Sequence, residues 1–538
     1  MRPRNWFRLA PPDPGGGSGT EEVAVGAVDA AAATSGGALI AGGLWSVASR
    51  VVPQLYTLIL SVAAARFLGP DGMGRQNFIA FIELSAIMLV TGGLPVALMR
   101  YVGETLGRGQ GHLVRGLASW AWRIEAAGAA LGGAALCVPA LLGADPGAAW
   151  VLAAVAAAVG IMHTAPSSIL IGAQRWRAAS LAGLVTGALT TGATVAVLAA
   201  GGGITGMFAV EAAASSVNLA WTTLLARRLL RDLPQRDEPV DELRRQVVRY
   251  ALPASLGALL TFVVWRRSEF FFLERYSSDA EIALYSIAFS VVTALVRVFE
   301  AIGAVVSPAV ATLYGAGQID RIRTGYGRAL RLVTVLTLPL MAVGLAVGPA
   351  LLRLLYGSEF RGTGPVLLIM LATFPIVSVV RTSNGLLHGL GRLRFLLAAG
   401  FVGAAVNIGL DFLLIPRWDA VGAALANAGG QLTVSLPVLI YASRALEPVP
   451  TRIGGLVPAA LAAAGAGLAA LAAVELVTGA GGVLLALALA TVVFALLARL
   501  LRILPADDAA WLDQAAGARL GGRVGWASRA IARGQPSP

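Results

Sequence analysis

The stretch VVWRRSEFFFLERY, residues 263–276, places Arg266, Arg267 and Glu269 inside a run of bulky apolar and aromatic side chains. An arginine at the centre of a membrane helix costs at least ~2.5 kcal/mol on insertion scales, so it needs a partner or a wet cavity. Arg266 and Glu269 are spaced i,i+3, which puts them on one helix face where they can pair. The same spacing recurs at Arg297 and Glu300 in ALVRVFEAIG. Arginine presents a planar charged fork that matches phosphate oxygens. The two Arg-x-x-Glu units therefore predict either a polar wall that receives an anionic headgroup or a pair of structural staples.

Other charges interrupt apolar segments elsewhere. Arg50, Arg123, Arg297 and Arg381 fall in the cytoplasmic half of their segments on the topology argued below, and Glu83, Glu211 and Asp411 lie nearer the outside. Arg50, Arg266, Arg297 and Arg381, with Glu269 and Glu300 as partners, are the candidate substrate-binding residues. The acids Glu83, Glu211 and Asp411 are the candidate proton or sodium sites. Snorkelling and the inner-side arginine bias also account for arginines near inner helix ends, without any transport role.

The elements that must position these residues are membrane helices. The 538 residues are 57% hydrophobic and 13% charged, with a mean hydropathy of +0.76, which excludes an ordinary soluble domain. Each crossing needs roughly 20 apolar residues, and the apolar runs predict about fourteen helices. All 41 of the basic Lys/Arg positions are arginine. They gather in loops of one parity, including Arg227, Arg228, Arg231, Arg236, Arg244, Arg245 and Arg249, whereas the opposite loops hold Arg66, Arg75, Arg275, Arg361 and Arg417. The positive-inside rule then places both termini in the cytoplasm. The expected layout is a cytoplasmic tail over 1–37, an N-lobe over 38–226, a basic loop over 227–248, a C-lobe over 249–445, two further helices over 446–502 and a cytoplasmic tail over 503–538. That last segment, with Trp511, Leu512, Leu520 and Trp526 among arginines, reads equally as a surface helix or a solvated tail.

Several functions are excluded or unsupported. The net charge of +12 is spread over loops rather than gathered into a patch with stacking aromatics, so nucleic acid is not an expected partner. A lone cysteine, Cys137, offers no disulfide framework, and His112, His163 and His388 are too dispersed for a metal-ligand set. Without lysine a phosphate-binding Gly-x-x-x-x-Gly-Lys-[Ser/Thr] loop is impossible. No cofactor, metal or hydrolytic chemistry is expected, and the chain reads as a transporter rather than an enzyme.

An internal echo points to duplication. GAQRWRAASLAG (172–183) matches GLGRLRFLLAAG (389–400), and Asp71 with Ile79-Ala80-Phe81 matches Asp279 with Ile287-Ala288-Phe289. Both echoes are displaced by an even number of spans, which predicts two six-helix lobes related by a parallel repeat. The opening GGLWSVASRVVPQLYTLILSVAAARFLGPDGMGRQNF, together with LLYGSEFRGTGPVLLIM, HGLGRLRF and NIGLDFLLIPRWDAVGAALAN, resembles the Wzx-type polysaccharide flippases. Their superfamily, the MOP superfamily, also holds multidrug exporters and the lipid II flippase. The resemblance implies an alternating-access carrier in the bacterial inner membrane that moves a polyprenyl-diphosphate-linked oligosaccharide to the outer leaflet. Implied partners are the lipid-linked oligosaccharide, membrane lipids, and glycosyltransferases or a polymerase of the same pathway. It implies buried arginines that receive the diphosphate, at the kind of position held by Arg50 and Arg297, while Trp265, Phe270 and Tyr285 are candidates for stacking on sugars. Two other readings stay open: an ion-coupled multidrug exporter of the same fold, and a non-transporting scaffold for glycosyltransferases.

Overall fold

A computed structural model describes residues 36–234, 239–265, 268–446, 456–516 and 532–533, without the side chains of 36–51, 260–261, 263–265, 301–305, 308, 512–516 and 532–533. The described chain is helical apart from a two-residue parallel pairing of Leu504–Pro505 with Ala532–Arg533. In chain order the helices are α1 Gly36–Thr91, α2 Leu94–Gly107, α3 Gly111–Leu141, α4 Gly147–Gly172, α5 Trp176–Ala199, α6 Gly203–Arg231 and α7 Asp241–Trp265. They continue as α8 Glu269–Tyr276, α9 Asp279–Gly315, α10 Ile319–Tyr356, α11 Thr363–Gly389, α12 Leu393–Ala445, α13 Val457–Leu476, α14 Gly479–Leu501 and α15 Ala506–Ala516. Ten of these are long and apolar enough to cross a membrane, so the protein is an all-α polytopic membrane protein.

Two of the spanning helices are double. α1 bends at Gly69 (φ 70, ψ −177), where glycine tolerates the left-handed region and the following Pro70 suits the first turn of a new helix. α12 bends at Trp418 and Asp419, just past Pro416, and Asp419 holds φ 48. The turn between α8 and α9 braces that second bend: Ser277 Oγ donates to Asp419 Oδ1 at 2.6 Å. The Ala420 N–H, at the start of the helix leg beyond the bend, donates to Glu281 Oε2 at 3.2 Å. A carboxylate there satisfies a free helix-terminal donor and suits the positive end of the helix dipole.

The chain forms two compact units, one running to Phe262 and the other starting at Val263. In the first unit, Leu94, Ala97, Leu98 and Val102 of α2 pack on Val114, Leu117, Ala118 and Ala121 of α3, with Ile169 of α4 and Val247 of α7. All but the last three residues of α7 thus lie in the first unit, although the basic loop before it was the expected boundary. Packing decides the matter. Tyr250 meets Tyr101 edge-on at 6.1 Å, Gly93 N–H donates to Ser255 Oγ at 2.7 Å, and Phe262 stacks on Phe81 at 5.6 Å. In the second unit, α13 buries Ala459, Ala462, Ala463, Ala466, Gly467, Ala470 and Ala473, a stripe of small residues at helical spacing. Such a stripe allows close approach of membrane helices, and a Cβ on Gly467 would lie 3.0 Å from the Ala342 carbonyl of α10.

The echoed segments fold alike. After α4, Gln174 (φ 60) closes a turn in which Arg175 N–H donates to the Leu170 carbonyl at 2.8 Å. After α11, Gly391 (φ 69) closes a turn in which Arg392 N–H donates to the Leu387 carbonyl, also at 2.8 Å. Gly172 and Gly389 each sit against a neighbouring backbone, with a virtual Cβ 2.7 Å from the carbonyls of Met99 and Ser307 respectively.

Beyond α14, the expected surface helix or solvated tail begins with α15, held against α10. The Asp508 carboxylate, 1% exposed, receives Arg331 Nε at 2.8 Å, Arg331 Nη2 at 2.9 Å and Arg328 Nε at 3.0 Å. Arg328 also lies over the Trp511 ring at 5.2 Å.

Candidate functional site

Within the second unit, α8 and both legs of α12 bring five polar side chains together inside otherwise apolar helices. Glu269 is fully buried at the start of α8. Its Oε1 accepts from Asn427 Nδ2 at 2.8 Å and lies 3.4 Å from Asn407 Nδ2. Asn407 Nδ2 donates to Asp411 Oδ2 at 2.9 Å, and Gln431 Nε2 donates to Asn427 Oδ1 at 2.6 Å. One carboxamide therefore stands between two buried carboxylates.

The bend in α12 explains why these residues meet. Asp411 and Asn427 each lie eight residues from Asp419, one on each leg, and Glu269 lies eight residues from Ser277, the residue bonded to Asp419. At 1.5 Å per residue all three stand about 12 Å from the braced turn, at one depth. Asn407 and Gln431 stand one helical turn deeper.

Two buried carboxylates attract positive charge. Among the described residues no ion pair joins Glu269 or Asp411 to an arginine. Asp411 Oδ1 and Asn407 Oδ1 also lack a hydrogen-bond partner there. Burying an unpaired charge is costly, and Arg266 and Arg267, just before Glu269, lie outside the described residues.

The remaining expected residues fall elsewhere. Glu300 of α9 pairs with Arg381 of α11, Nη2 to Oε1 at 3.3 Å, while Arg297 is exposed on α9. Glu83, 6% exposed on α1, and Glu211 on α6 lie within electrostatic reach of each other in the first unit. The side chain of Arg50, Arg266 itself and the side chain of Trp265 lie outside the described residues. Phe270 and Tyr285 are fully buried and pack edge-to-face at 5.9 Å, so neither ring offers the face for sugar stacking that the sequence suggested.

Sequence reasoning passed over Asn407, Asn427 and Gln431 because they carry no charge. Their spacing was a readable signal: Asn407-x-x-x-Asp411 and Asn427-x-x-x-Gln431 both place polar groups on one helix face. A second group it left aside is Glu125 of α3, 2% exposed, which accepts from the Thr164 hydroxyl and, at 3.0 Å, from Ala165 N–H beside Pro166 in α4.

The family of polysaccharide biosynthesis proteins matches residues 39–313, just over half of the chain, and the MatE family matches residues 246–413. None of the curated proteins matches the chain in sequence. Among solved structures, the lipid II flippase MurJ in an inward closed conformation is similar with a TM-score of 0.60 at 14% identity, over 85% of this chain and 98% of that one. An inward-facing multidrug resistance MATE transporter of the MOP superfamily gives 0.58 at 15% identity, over 74% and 96%. A MOP superfamily transporter from Pyrococcus furiosus, titled for the reverse polarity of its binding pocket, gives 0.53 at 15% identity, over 74% and 95%. With a sequence match over half its length, the chain belongs to the family of polysaccharide biosynthesis proteins, and its helical fold is like that of these solved structures.

Proposed function

We propose that the protein is an ion-coupled flippase that moves a polyprenyl-diphosphate-linked oligosaccharide from the cytoplasmic to the outer leaflet of the bacterial inner membrane, with both termini cytoplasmic. The observation that carries this reading is the polysaccharide biosynthesis match across residues 39–313. A diphosphate headgroup cannot cross hydrocarbon unaided, and arginine forks are suited to its oxygens. We assign headgroup binding to Arg297 and Arg381, with Arg50 and Arg266, and let Glu300 orient Arg381 through their 3.3 Å contact. Coupling is assigned to Glu269 and Asp411, which take up and release a proton or sodium ion as the carrier cycles. Glu83 and Glu211 are a second coupling pair in the first unit.

The MatE match over residues 246–413 favours a second reading, export of organic cations. The experiment separates the two. Full-length protein is reconstituted in liposomes, and translocation of a polyprenyl-diphosphate-linked oligosaccharide and of a lipophilic organic cation is followed under imposed sodium or proton gradients. The flippase reading expects gradient-dependent appearance of the lipid-linked sugar in the opposite leaflet. Transport of the cation with no movement of the lipid-linked sugar would overturn it.

A further inference from the structure

α6 carries Ser216, Leu219, Ala220, Thr223, Leu224 and Arg227 at spacings of three and four, a single helix face. This face lines a cavity of about 550 Å³, walled on the α3 side by Trp122 and floored by Met162 of α4. The cavity arises because α4 packs against both α3 and α6, leaving a trough above itself. The trough is tied shut at one end, where Arg115 Nη2 at the start of α3 donates to the Leu230 carbonyl near the end of α6 at 2.7 Å. From Ser216 to Arg227 it runs about 17 Å along the helix.

The chemistry of the trough is graded. Trp122, Met162, Leu219 and Leu224 make its body apolar, and Arg227 stands at the tied end. Arg227 is exposed and makes no ion pair among the described residues, unlike Arg328 and Arg331, which a buried carboxylate neutralises. The arginine-rich sequence that follows α6 marks this end as the cytoplasmic one. An apolar channel that ends in an exposed guanidinium suits one occupant, an acyl chain whose headgroup bears a phosphate.

We infer that the trough between α3 and α6 is a binding site for an anionic phospholipid of the cytoplasmic leaflet, its acyl chain along Trp122 and Leu219 and its phosphate on Arg227. The volume falls within the ~300–1,000 Å³ range of small-molecule sites. None of the lining residues is a candidate coupling or headgroup residue, and the proposal does not depend on which substrate is carried.

The test is native mass spectrometry of full-length protein titrated in detergent with phosphatidylglycerol or phosphatidylethanolamine. The wild type should hold one phosphatidylglycerol about fivefold more tightly than phosphatidylethanolamine, the size expected for one arginine near a membrane surface. Arg227→Gln should abolish that preference, Arg227→Lys should keep most of it, and Ala220→Trp, which fills the trough, should remove the tight site for both lipids. Equal thermal midpoints without added lipid would show that the variants are folded. A wild type with no preference overturns the proposal, as does a preference that survives either Arg227→Gln or Ala220→Trp.

Discussion

Removing the Asp508 carboxylate should release α15 from α10. The side chain is 1% exposed and accepts three N–H groups at 2.8–3.0 Å, two from Arg331 and one from Arg328. Truncating one partner of a fully buried ion pair costs about 3–5 kcal/mol. The two arginines retain 19% and 20% exposure, so they can turn toward water, and the low end of that range, ~3 kcal/mol, applies to Asp508→Ala. At ~1.4 kcal/mol per decade, the undocked population of α15 should rise by roughly 150-fold. Hydrogen exchange of the 506–516 amides, followed by mass spectrometry, measures that population directly. Asp508→Asn keeps one acceptor and should fall between the two, and Arg331→Asp combined with Asp508→Arg should restore part of the protection. Unchanged exchange in Asp508→Ala would refute the reasoning, because it would mean that the Leu504–Ala532 pairing and the Arg328–Trp511 contact hold the segment without the ion pair.

Glu269→Gln and Asp411→Asn conserve size, so membrane abundance should stay near normal while transport loses its response to sodium and proton gradients; a wild-type gradient response in both variants would remove the coupling assignment. Gly389→Ala should cost about 1–3 kcal/mol by overpacking, since the new Cβ meets the Ser307 carbonyl and Val310 Cβ at 2.7 Å, and this would be read as a lower thermal midpoint. Gly391→Asn should be nearly neutral in the same assay, because its surroundings are open and Gln174 already holds the equivalent positive φ. In a Cys137→Ala background, Glu359→Cys should label from outside the cell and Gln110→Cys only after permeabilisation; the reverse pattern would invert the topology.

The membrane helices were legible because burial in lipid imposes a composition on every crossing, and the bends carried punctuation of their own in Gly69-Pro70 and Pro416. The edge of the first unit was not legible. A charged loop precedes α7, but Val247, Tyr250 and Ser255 pack on α2 and α3, and no pattern within α7 names its partner. The coupling cluster was half legible. Glu269 and Asp411 stand out as charges in apolar runs, yet the sequence sorted Glu269 with the arginines and Asp411 with the ion sites. Their shared Asn407 lies 138 residues from Glu269, a separation that local spacing cannot bridge.

What joins them is the braced bend. A helix break in a membrane leaves backbone groups unsatisfied, and such irregularity persists where side chains satisfy them. Here Glu281 takes the Ala420 N–H and Ser277 holds Asp419, so one turn fixes the starting point of three helical arms. Equal counts of eight residues then bring Glu269, Asp411 and Asn427 to a common depth, because helical rise is constant. The depth of the acid pair is therefore set by the turn rather than by the acids themselves. An insertion of one residue between Asp411 and Asp419 would rotate Asp411 by about 100° around its helix and move it off the face it shares with Glu269, while leaving every residue of the cluster in the sequence. A substitution within the cluster removes a ligand atom, whereas a change in the length of an arm separates the two carboxylates.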